Sequence, residues 1–323
     1  MDVQQHLLDR QKWFVNLRFG TFIHFNSATF QFAEGEIADW EYGYENDGEP
    51  RRYPFDPAQW NPVGLDCAQW ARTAKSAGAR FGCLTTKHHE GFALWPSDCT
   101  DHCVKSAALK TDVVGEYLNA FRKEGLTAGL YFSMLDLHHG IGRKGCTPAG
   151  KELIKGQITE LLTRYGEIPF LIVDGWQAPW GGPSFDEVPF EEIDALVKSL
   201  QPDCLLMNIG EQNGLAHTDV AFCENAAGQQ IAPDFAGPGA SCNILTKHWF
   251  WRQSDPGEEL KSADWALNMM QSVNRQNVTF LLNLSPNQRG QLDDNLVARF
   301  AEIGERVAFL PDLEQLPQGW LRR

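Results

Sequence analysis

The sequence predicts an α/β fold of the (β/α)8 barrel type, formed as a single domain over residues 1–323. Three observations predict it. A chain of 323 residues has a normal length for one such barrel with loop insertions. Short apolar runs alternate with amphipathic stretches, which is typical of the strands and helices of a parallel sheet. Polar side chains follow directly after several of the apolar runs, as they do at the active face of a barrel.

Seven short apolar runs are predicted to be the strands. In chain order they are Gly20–Phe25, Phe81–Thr86, Ala128–Ser133, Phe170–Asp174, Cys204–Ile209, Val220–Cys223 and Thr279–Asn283. Apolar residues recur at helical spacing between several of them. The predicted helices are Cys67–Ala77, Val113–Glu124, Ile158–Tyr165 and Phe190–Leu200. Gly78 and Gly125 follow the first two helices, where a left-handed cap is favoured. An open doubly wound sheet is the alternative, but no glycine-rich phosphate-binding motif follows the first strand, which favours the barrel.

The charge of the chain argues against two classes of partner. The 42 acidic and 28 basic residues give a formal net charge of -14. Nucleic acids and anionic membranes are bound through clustered Lys and Arg, so neither is expected as a partner. The N-terminus has no apolar run of signal-peptide length, and no later run approaches the ~18 residues of a membrane span.

The eight cysteines are scattered along the chain, and several lie in apolar runs such as RFGCLTT. This pattern indicates free, mostly buried thiols rather than the disulfide framework of a small secreted domain. Cys99 and Cys103 with His102 resemble half of a metal site, but no second pair has the spacing of zinc ligands. We therefore expect a cytoplasmic protein without a metal or other cofactor.

Asp174 is the leading candidate for chemistry. It follows the apolar run FLIV at the end of a predicted strand and precedes a loop that contains Trp176. An Asp can also cap a helix, but here a loop follows it. A barrel brings Asp174 together with the other polar strand-end groups, which are His24, Lys87, His88, His89, Glu90, Ser133 and Asp136. Aromatic faces such as that of Trp176 suit the apolar face of a sugar ring.

The adjacent pair His88 and His89 is the second candidate. Neighbouring residues on a strand point to opposite faces, whereas zinc-binding barrels generally use alternating histidines. The pair therefore suits a strand-end turn in which two imidazoles donate hydrogen bonds to neighbouring hydroxyls of one ligand. Two purely structural histidines are the alternative. His138 and His139 lie later, in a predicted loop. Two interpretations remain for them, a position on the surface and a position at the rim of the substrate site.

A glycosidase would need a second carboxyl group besides Asp174, to protonate the leaving oxygen. Glu224 follows the apolar run VAFC and precedes small residues that permit close approach. Glu211 lies in the turn NIGEQNG and is as easily a solvated loop residue. The sequence favours Glu224 and leaves Glu211 as the alternative.

Several segments together resemble the α-L-fucosidases of glycoside hydrolase family 29. They are FGTFIHFNSATF, LTTKHHEGFALWPS, GLYFS, LIVDGW and NVTFLLNLSPNQRG, and the resemblance extends from about Trp13 to about Gly304. Glu90 stands where many members have Asp, and Ile172 stands where an aromatic residue is usual. KHH, a strand-end DG and LLNxxP in this order make a specific combination.

The resemblance implies a retaining exo-α-L-fucosidase that acts on fucosylated oligosaccharides, with Asp174 as the nucleophile. It also implies that His24, His88 and His89 hold the fucose. The aromatic residues expected at the sugar are Trp40 (beside Asp39 and Glu41), Tyr131, Trp176 and Trp249. The C-terminal β-sandwich of many members is expected to be missing.

The general acid is where the chain departs from the family. One branch has its Glu shortly before a Cys and an aromatic strand, where GASCNILTKHWFW offers Ala240 and Ser241. The other branch has it in a GNExG-like turn, which ENAAG at Glu224 loosely resembles. The resemblance therefore implies Glu224 as the acid/base and the branch acting on α-1,3 and α-1,4 fucosides. An exo-glycosidase for a related sugar such as L-galactose and a catalytically silent sugar-binding protein are the alternatives, and a homo-oligomer is left open.

Overall fold

The computed structural model describes residues 3–30, 55–142, 144–179, 181–321 and 323. Eight strands in these residues form one sheet in which neighbouring strands are parallel. They are β1 (Phe19–Ile23), β2 (Phe81–Lys87), β3 (Thr127–Ser133), β4 (Phe170–Asp174), β5 (Leu205–Asn208), β6 (Ala221–Glu224), β7 (Gly239–Asn243) and β8 (Val278–Leu284). Their order across the sheet is β5-β4-β3-β2-β1-β8-β7-β6.

The two outer strands of this order approach each other and nearly close the sheet into a barrel. A single parallel bridge joins Ile209, just after β5, to Phe222 of β6. The backbone N–H of Phe222 also donates to the carbonyl of Glu211 at 2.9 Å. Eight parallel strands around one interior confirm the predicted (β/α)8 fold.

Seven α-helices pack around the strands in the described residues. They are α1 (Val3–Leu17), α2 (Cys67–Ser76), α3 (Val113–Lys123), α4 (Pro148–Arg164), α5 (Phe190–Leu200), α6 (Ala263–Asn274) and α7 (Asp294–Gly304). Four begin at a side chain that accepts a hydrogen bond from a backbone N–H of the first turn: Asp66, Asp112, Thr147 and Ser262. Between β5 and β7, residues 209–238 are all described and contain β6, loops and one short 3-10 turn, but no α-helix on either side of β6. None of the described helices is both long and apolar enough to cross a membrane.

The apolar residues form an outer core between strands and helices and an inner core inside the barrel. Phe14 of α1 closes the lower end of the inner core, with its ring 5.8 Å from that of Phe81 and 5.5 Å from that of Phe170. These large rings fit because glycines lie beside them. A Cβ on Gly129 would lie 2.0 Å from a ring atom of Phe170, so only glycine is accommodated there. Large apolar side chains thus fill the end of the barrel next to α1, and the polar strand-end residues lie at the opposite end.

All seven predicted strands are present within one or two residues of their predicted bounds, and β7 is the strand that the prediction missed. The four predicted helices are present, although α4 begins at Pro148, ten residues before the predicted Ile158. α1, α6 and α7 were not predicted. The sequence of β7, GASCN, has no large β-branched or aromatic residue, so its pattern does not indicate a strand.

Candidate active site

The two-residue period of β4 directs Asp174 into the barrel. Phe170 and Ile172 of this strand pack in the inner core, whereas Leu171 and Val173 pack in the outer core. The next side chain in this alternation, that of Asp174, therefore points to the interior. Asp174 is the last residue of the strand, so its carboxyl lies at the upper mouth of the barrel.

The same alternation turns other strand-end residues toward this mouth. Each of them follows an inner-core residue by two positions: His24 after Phe22, Ser133 after Tyr131, Glu224 after Phe222 and Asn283 after Leu281. Because all eight strands are parallel, their carboxyl ends lie at one end of the barrel. The sequence-distant polar groups therefore share one site.

The carboxylate of Asp174 has three polar neighbours, and two of them donate hydrogen bonds to it. Its Oδ2 accepts a hydrogen bond of 2.9 Å from the hydroxyl of Tyr131, and its Oδ1 accepts one of 2.7 Å from the N–H of Gly175. Nε2 of His89 lies 3.4 Å from Oδ2. Burial raises the pKa of Asp174 to about 6, although the hydrogen bonds from Tyr131 and Gly175 lower it. The group is thus ionised at neutral pH but only weakly solvated.

Three buried histidines lie around this carboxylate. Nδ1 of His24 is 2.6 Å from Oδ1 of Asn283, and Nδ1 of His89 is 2.6 Å from Oγ of Ser133. The ring of His88 stacks on that of Tyr131, with 5.7 Å between centroids and 14° between planes. Burial lowers the pKa of His24 and of His89 to about 3 and that of His88 well below its usual value. All three imidazoles are therefore neutral at physiological pH.

Aromatic rings form one wall of the mouth. The ring of Trp249 lies 4.8 Å from that of His24, and the ring of Phe250 lies 5.3 Å from His24 and 4.9 Å from His88. Trp249 is 7% exposed, and its ring packs beside His24 at this end of the barrel. This wall brings the predicted sugar contact Trp249 together with the histidines and Tyr131, and Phe250 was not predicted.

Two predicted aromatic contacts are not brought to the site. Trp176 is 2% exposed and belongs to the outer core. Its ring packs against those of Phe185 and Phe190, and its Nε1 donates to the carbonyl of Val188 at 3.0 Å. The prediction that Trp176 contacts the sugar does not fit this position, because the loop after β4 turns the indole outward. Trp40, with Asp39 and Glu41, lies outside the described residues.

The polar groups Lys87 and Asp136 were expected at the mouth, but they pair with each other outside it. Nζ of Lys87 lies 2.9 Å from Oδ2 of Asp136 and 3.0 Å from Oε1 of Gln157 on α4, and both charged side chains are fully buried. Nζ also lies 4.2 Å from the ring centroid of Phe132, an outer-core residue. A register shift in β2 between Thr85 and Lys87 accompanies this arrangement. The pair joins β2 to the loop after β3.

Two groups of side chains have the spacing of metal ligands in the described part of the chain: His88, His89 and Asp174, and Glu90, His102 and His138. In the second group, Nε2 of His102 is already 2.9 Å from a carboxylate oxygen of Glu90. The rings of His102 and His138 are parallel, 3.6 Å apart at 4°, so their in-plane lone pairs do not converge on one ion. His139 contacts Asp136 and Thr100 at 2.8 and 2.9 Å. His138 and His139 therefore tie the loops after β2 and β3 together.

A model of the Alpha-L-fucosidase family matches residues 3–309 of this chain. The chain belongs to the alpha-L-fucosidase family. This result confirms the resemblance to glycoside hydrolase family 29 that the strand-end motifs indicated.

Named relatives of the alpha-L-fucosidase family agree with this assignment. Alpha-L-fucosidase 1 of Arabidopsis thaliana is 32% identical over 308 residues, which cover 88% of this chain and 56% of the relative. Tissue alpha-L-fucosidase of Homo sapiens is 33% identical, with 91% and 66% covered. The chain thus spans little more than half of the plant relative. The solved structure of a family 29 alpha-L-fucosidase from Bacteroides thetaiotaomicron shares the fold, with a TM-score of 0.77, 22% identity, and 92% of this chain and 72% of that chain covered.

The alpha-L-fucosidase pattern GNExG does not align its glutamate with Glu224. In the segment ENAAG the third position is Ala226, and Glu224 stands where the pattern has its first glycine. Glu224 is the last residue of β6 and points inward with Phe222, whereas Ala226 lies in the short 3-10 turn that follows. In this chain a carboxyl therefore reaches the mouth from the strand end and not from the turn.

The alternative acid, Glu211, is engaged elsewhere. Its Oε1 lies 2.9 Å from Nδ1 of His217, whose ring stacks on that of Phe185 at 4.1 Å. Phe185 packs against the outer core. This contact draws the carboxylate of Glu211 toward the outside of the barrel, and the arrangement favours Glu224.

Sequence reasoning named Ser133 as a polar strand-end residue and Asn283 as the last residue of a predicted strand, but it gave neither a role, although both contact histidines of this fucosidase-family site. The side chain of Asn283 contacts His24 and donates from Nδ2 to the carbonyl of Trp249 at 2.7 Å. The available signal was their position, since each is a polar residue at the end of an apolar strand.

Proposed function

We propose that this chain is a retaining exo-α-L-fucosidase in which Asp174 is the nucleophile and Glu224 is the general acid/base. Asp174 attacks the anomeric carbon and forms a glycosyl ester, while Glu224 gives its proton to the leaving glycosidic oxygen. Glu224 then takes a proton from water, and the resulting hydroxide displaces Asp174 from the sugar. The two inversions retain the configuration of the anomeric carbon.

One observation carries this proposal above the others: the buried Asp174 carboxylate at the mouth has Oδ2 fixed by Tyr131 and Oδ1 fixed by Gly175. A nucleophile needs a defined orientation and incomplete solvation, and this carboxylate has both. The neutral histidines and the Trp249 wall around it supply polar and apolar contacts of the kind that a sugar ring requires. Family membership supports fucose as the sugar.

The test of Asp174 uses 4-nitrophenyl α-L-fucopyranoside. We expect hydrolysis by the unmodified chain, with α-L-fucose as the first anomer seen by proton NMR, because retention requires it. Asp174→Asn should retain less than about one thousandth of the rate, since it removes the nucleophile. Glu211→Gln is the matched control and should keep the rate within a few-fold. Release of β-L-fucose first, or an active Asp174→Asn protein, would contradict the proposal.

The role of Glu224 is tested by comparing substrates whose leaving groups differ in their need for a proton. Glu224→Ala should slow substrates with poor leaving groups far more than activated aryl fucosides, because only the former need protonation. Azide should restore turnover of the aryl substrate, because it needs no general base to attack the glycosyl ester in place of water. It displaces Asp174 from the opposite face of the sugar, so the expected product is α-L-fucosyl azide. If Glu211→Ala gives this pattern and Glu224→Ala does not, Glu211 is the acid/base.

For the substrate, we propose terminal α-1,3- and α-1,4-linked fucose on oligosaccharides. The support is the absence of a carboxyl group at Ala240 and Ser241, where the other branch of the family carries its acid. A panel of α-1,2-, α-1,3-, α-1,4- and α-1,6-linked fucosides tests it, and faster cleavage of the α-1,2 or α-1,6 members would refute it. An α-L-galactoside in the same panel separates the related-sugar alternative, and no turnover of any member would favour a silent sugar-binding protein.

We also propose a reducing compartment such as the cytoplasm. All eight cysteines are free thiols, and six of them are buried. Such thiols persist where disulfides do not form. Labelling of the native chain in cells by compartment-restricted thiol reagents tests this, and labelling only in an oxidising compartment would contradict it.

A further inference from the structure

The hydroxyl of Ser133 has only one proton, and the structure determines where that proton goes. Oγ of Ser133 lies 2.6 Å from the carbonyl oxygen of Leu135 and 2.6 Å from Nδ1 of His89. A carbonyl oxygen can only accept, so Ser133 donates its proton to Leu135. Oγ must then accept from His89, which places the proton of the imidazole on Nδ1.

The side chain of Asn283 imposes the same result on His24. Its Nδ2 donates to the carbonyl of Trp249 at 2.7 Å, which fixes the orientation of the amide. Oδ1 therefore faces Nδ1 of His24, at 2.6 Å. An amide oxygen only accepts, so His24 also carries its proton on Nδ1. Two unrelated side chains, on β3 and on β8, thus select the same tautomer.

The tautomer decides what the other ring nitrogen can do. Both imidazoles are buried and neutral, because burial disfavours the charged form. A neutral imidazole with its proton on Nδ1 has a lone pair on Nε2 and can only accept there. Nε2 of His89 lies 3.4 Å from Oδ2 of Asp174, which is also an acceptor. The gap between these two atoms is therefore lined by acceptors and suits a group that donates a proton.

We propose that Ser133 and Asn283 are positioning residues that make His89 and His24 hydrogen-bond acceptors, so that the site selects sugars whose hydroxyls donate to them. This rests on the proposed function for the identity of the sugar. For His89 it reverses the expectation from the sequence that the imidazole donates to the ligand. The ligand chemistry that fits is a polyol with free hydroxyls, and a fluoro or methoxy group at the same position is rejected because it carries no proton to donate.

The tautomer of His89 also affects the nucleophilicity of Asp174. A proton on Nε2 of His89 would point at Oδ2 of Asp174 and stabilise the carboxylate, which would make it a weaker nucleophile. With the proton held at Nδ1 by Ser133, His89 adds no third hydrogen bond to the two that Asp174 accepts from Tyr131 and Gly175. Loss of Ser133 should therefore reduce kcat as well as weaken binding.

The direct test is nitrogen NMR of the full chain labelled with 15N-histidine. Protonated and unprotonated imidazole nitrogens have well-separated shifts, and signals are assigned by their loss in His24→Gln and His89→Gln. We expect protonated Nδ1 and unprotonated Nε2 for both residues in the unmodified chain. Ser133→Ala should move the His89 proton to Nε2 in a measurable fraction of molecules, whereas Ser133→Thr, which keeps the hydroxyl, should not. A protonated Nε2 on His89 in the unmodified chain would overturn the proposal.

The functional arm uses L-fucose and its monodeoxyfluoro analogues as inhibitors of aryl fucoside hydrolysis. In the unmodified chain, at least one analogue should bind ten or more times more weakly than L-fucose, and Ser133→Ala should reduce that ratio while lowering kcat. Ser241→Ala is the matched control. Ser241 is a buried serine of β7, and its chain neighbours Ala240 and Cys242 belong to the inner core, so its own side chain points out of the barrel. An equal effect in Ser241→Ala would mean that only packing was lost, which would overturn the role of Ser133.

The two arms separate this inference from the proposed function. The NMR measurement needs no turnover, so a chain that hydrolyses no fucoside can still show the predicted tautomers. Conversely, a chain that hydrolyses fucosides but carries the proton on Nε2 would keep the proposed function and refute the positioning role.

Discussion

The hydroxyl of Tyr131 donates a hydrogen bond of 2.9 Å to Oδ2 of Asp174, across the neighbouring strands β3 and β4. The two residues are joined because the register pairs Tyr131 with Ile172 and Ser133 with Asp174. Tyr131 therefore lies two residues before the level of Asp174, and its side chain extends from inside the barrel toward the carboxyl. The same oxygen also lies 3.4 Å from Nε2 of His89.

Tyr131→Phe should shift the acidic limb of the pH dependence of kcat/KM toward higher pH. The hydrogen bond from Tyr131 lowers the pKa of Asp174, whereas burial raises it. Loss of the hydrogen bond therefore raises the pKa further, and the carboxyl ionises only at higher pH. We also expect kcat/KM at the optimum to fall by about tenfold to a hundredfold, as for a lost charge-assisted hydrogen bond of about 1.5–3 kcal/mol. A pH–rate profile of aryl fucoside hydrolysis measures both.

The control for that profile is Tyr117→Phe. Tyr117 is another buried tyrosine, but its hydroxyl donates to the carbonyl of Gly129 at 3.1 Å, away from Asp174. Its replacement should leave the acidic limb in place. A limb that stays unmoved in Tyr131→Phe would show that another group produces it.

Asp174→Asn should be more stable than the unmodified chain at neutral pH. The folded pKa of about 6 lies above the usual 3.8 of an aspartic acid, so the folded state holds the proton of Asp174 more tightly than the unfolded state does. The unmodified chain therefore loses stability as the pH rises from about 4 to about 6, by on the order of 2–3 kcal/mol. Asparagine has no such titration. Urea unfolding at pH 4 and pH 7 should show the two proteins converging at the lower pH, and a stability difference independent of pH would contradict this.

Lys87→Met should strongly destabilise the fold. It leaves the Asp136 carboxylate in a fully buried position without its cation, and breaking such a pair typically costs about 3–5 kcal/mol. Burial alone raises the pKa of Asp136, but Lys87 and His139 together hold it below its usual value. The double variant Lys87→Met with Asp136→Asn should lose less stability than the sum of the single variants. Additive losses in urea unfolding would show that the two charges do not depend on each other.

Zinc should inhibit this site and not activate it. Its ligands would be His88, His89 and Asp174, the groups that we assign to the sugar and the chemistry. We expect protein dialysed against EDTA to keep its full activity and added zinc to compete with L-fucose. Activity that disappears in EDTA and returns with zinc would refute the assignment of the histidines to the sugar.

The sequence alone predicted the barrel and the strand that ends at Asp174 because both depend on local patterns. FLIVDGW combines a buried strand with a polar end, and a barrel brings every such end to the same mouth. The same rule placed His24, His88 and His89 correctly around Asp174. It failed for Lys87 and Asp136, because a register shift in β2 and a turn after β3 direct them outward, and neither event leaves a periodic signal in the sequence.

What the sequence by itself determined is the position of seven of the eight strands, the residue types at their ends and the family to which the chain belongs. Only the tertiary structure decided which neighbour each of these side chains meets. Trp176 follows Asp174 by two positions, yet it packs in the outer core because its loop turns away. Ser133 and Asn283 act on His89 and His24 through single hydrogen bonds between residues 44 and 259 positions apart. Such bonds depend on the register of neighbouring strands, and register follows from the packing of the whole barrel rather than from any one segment.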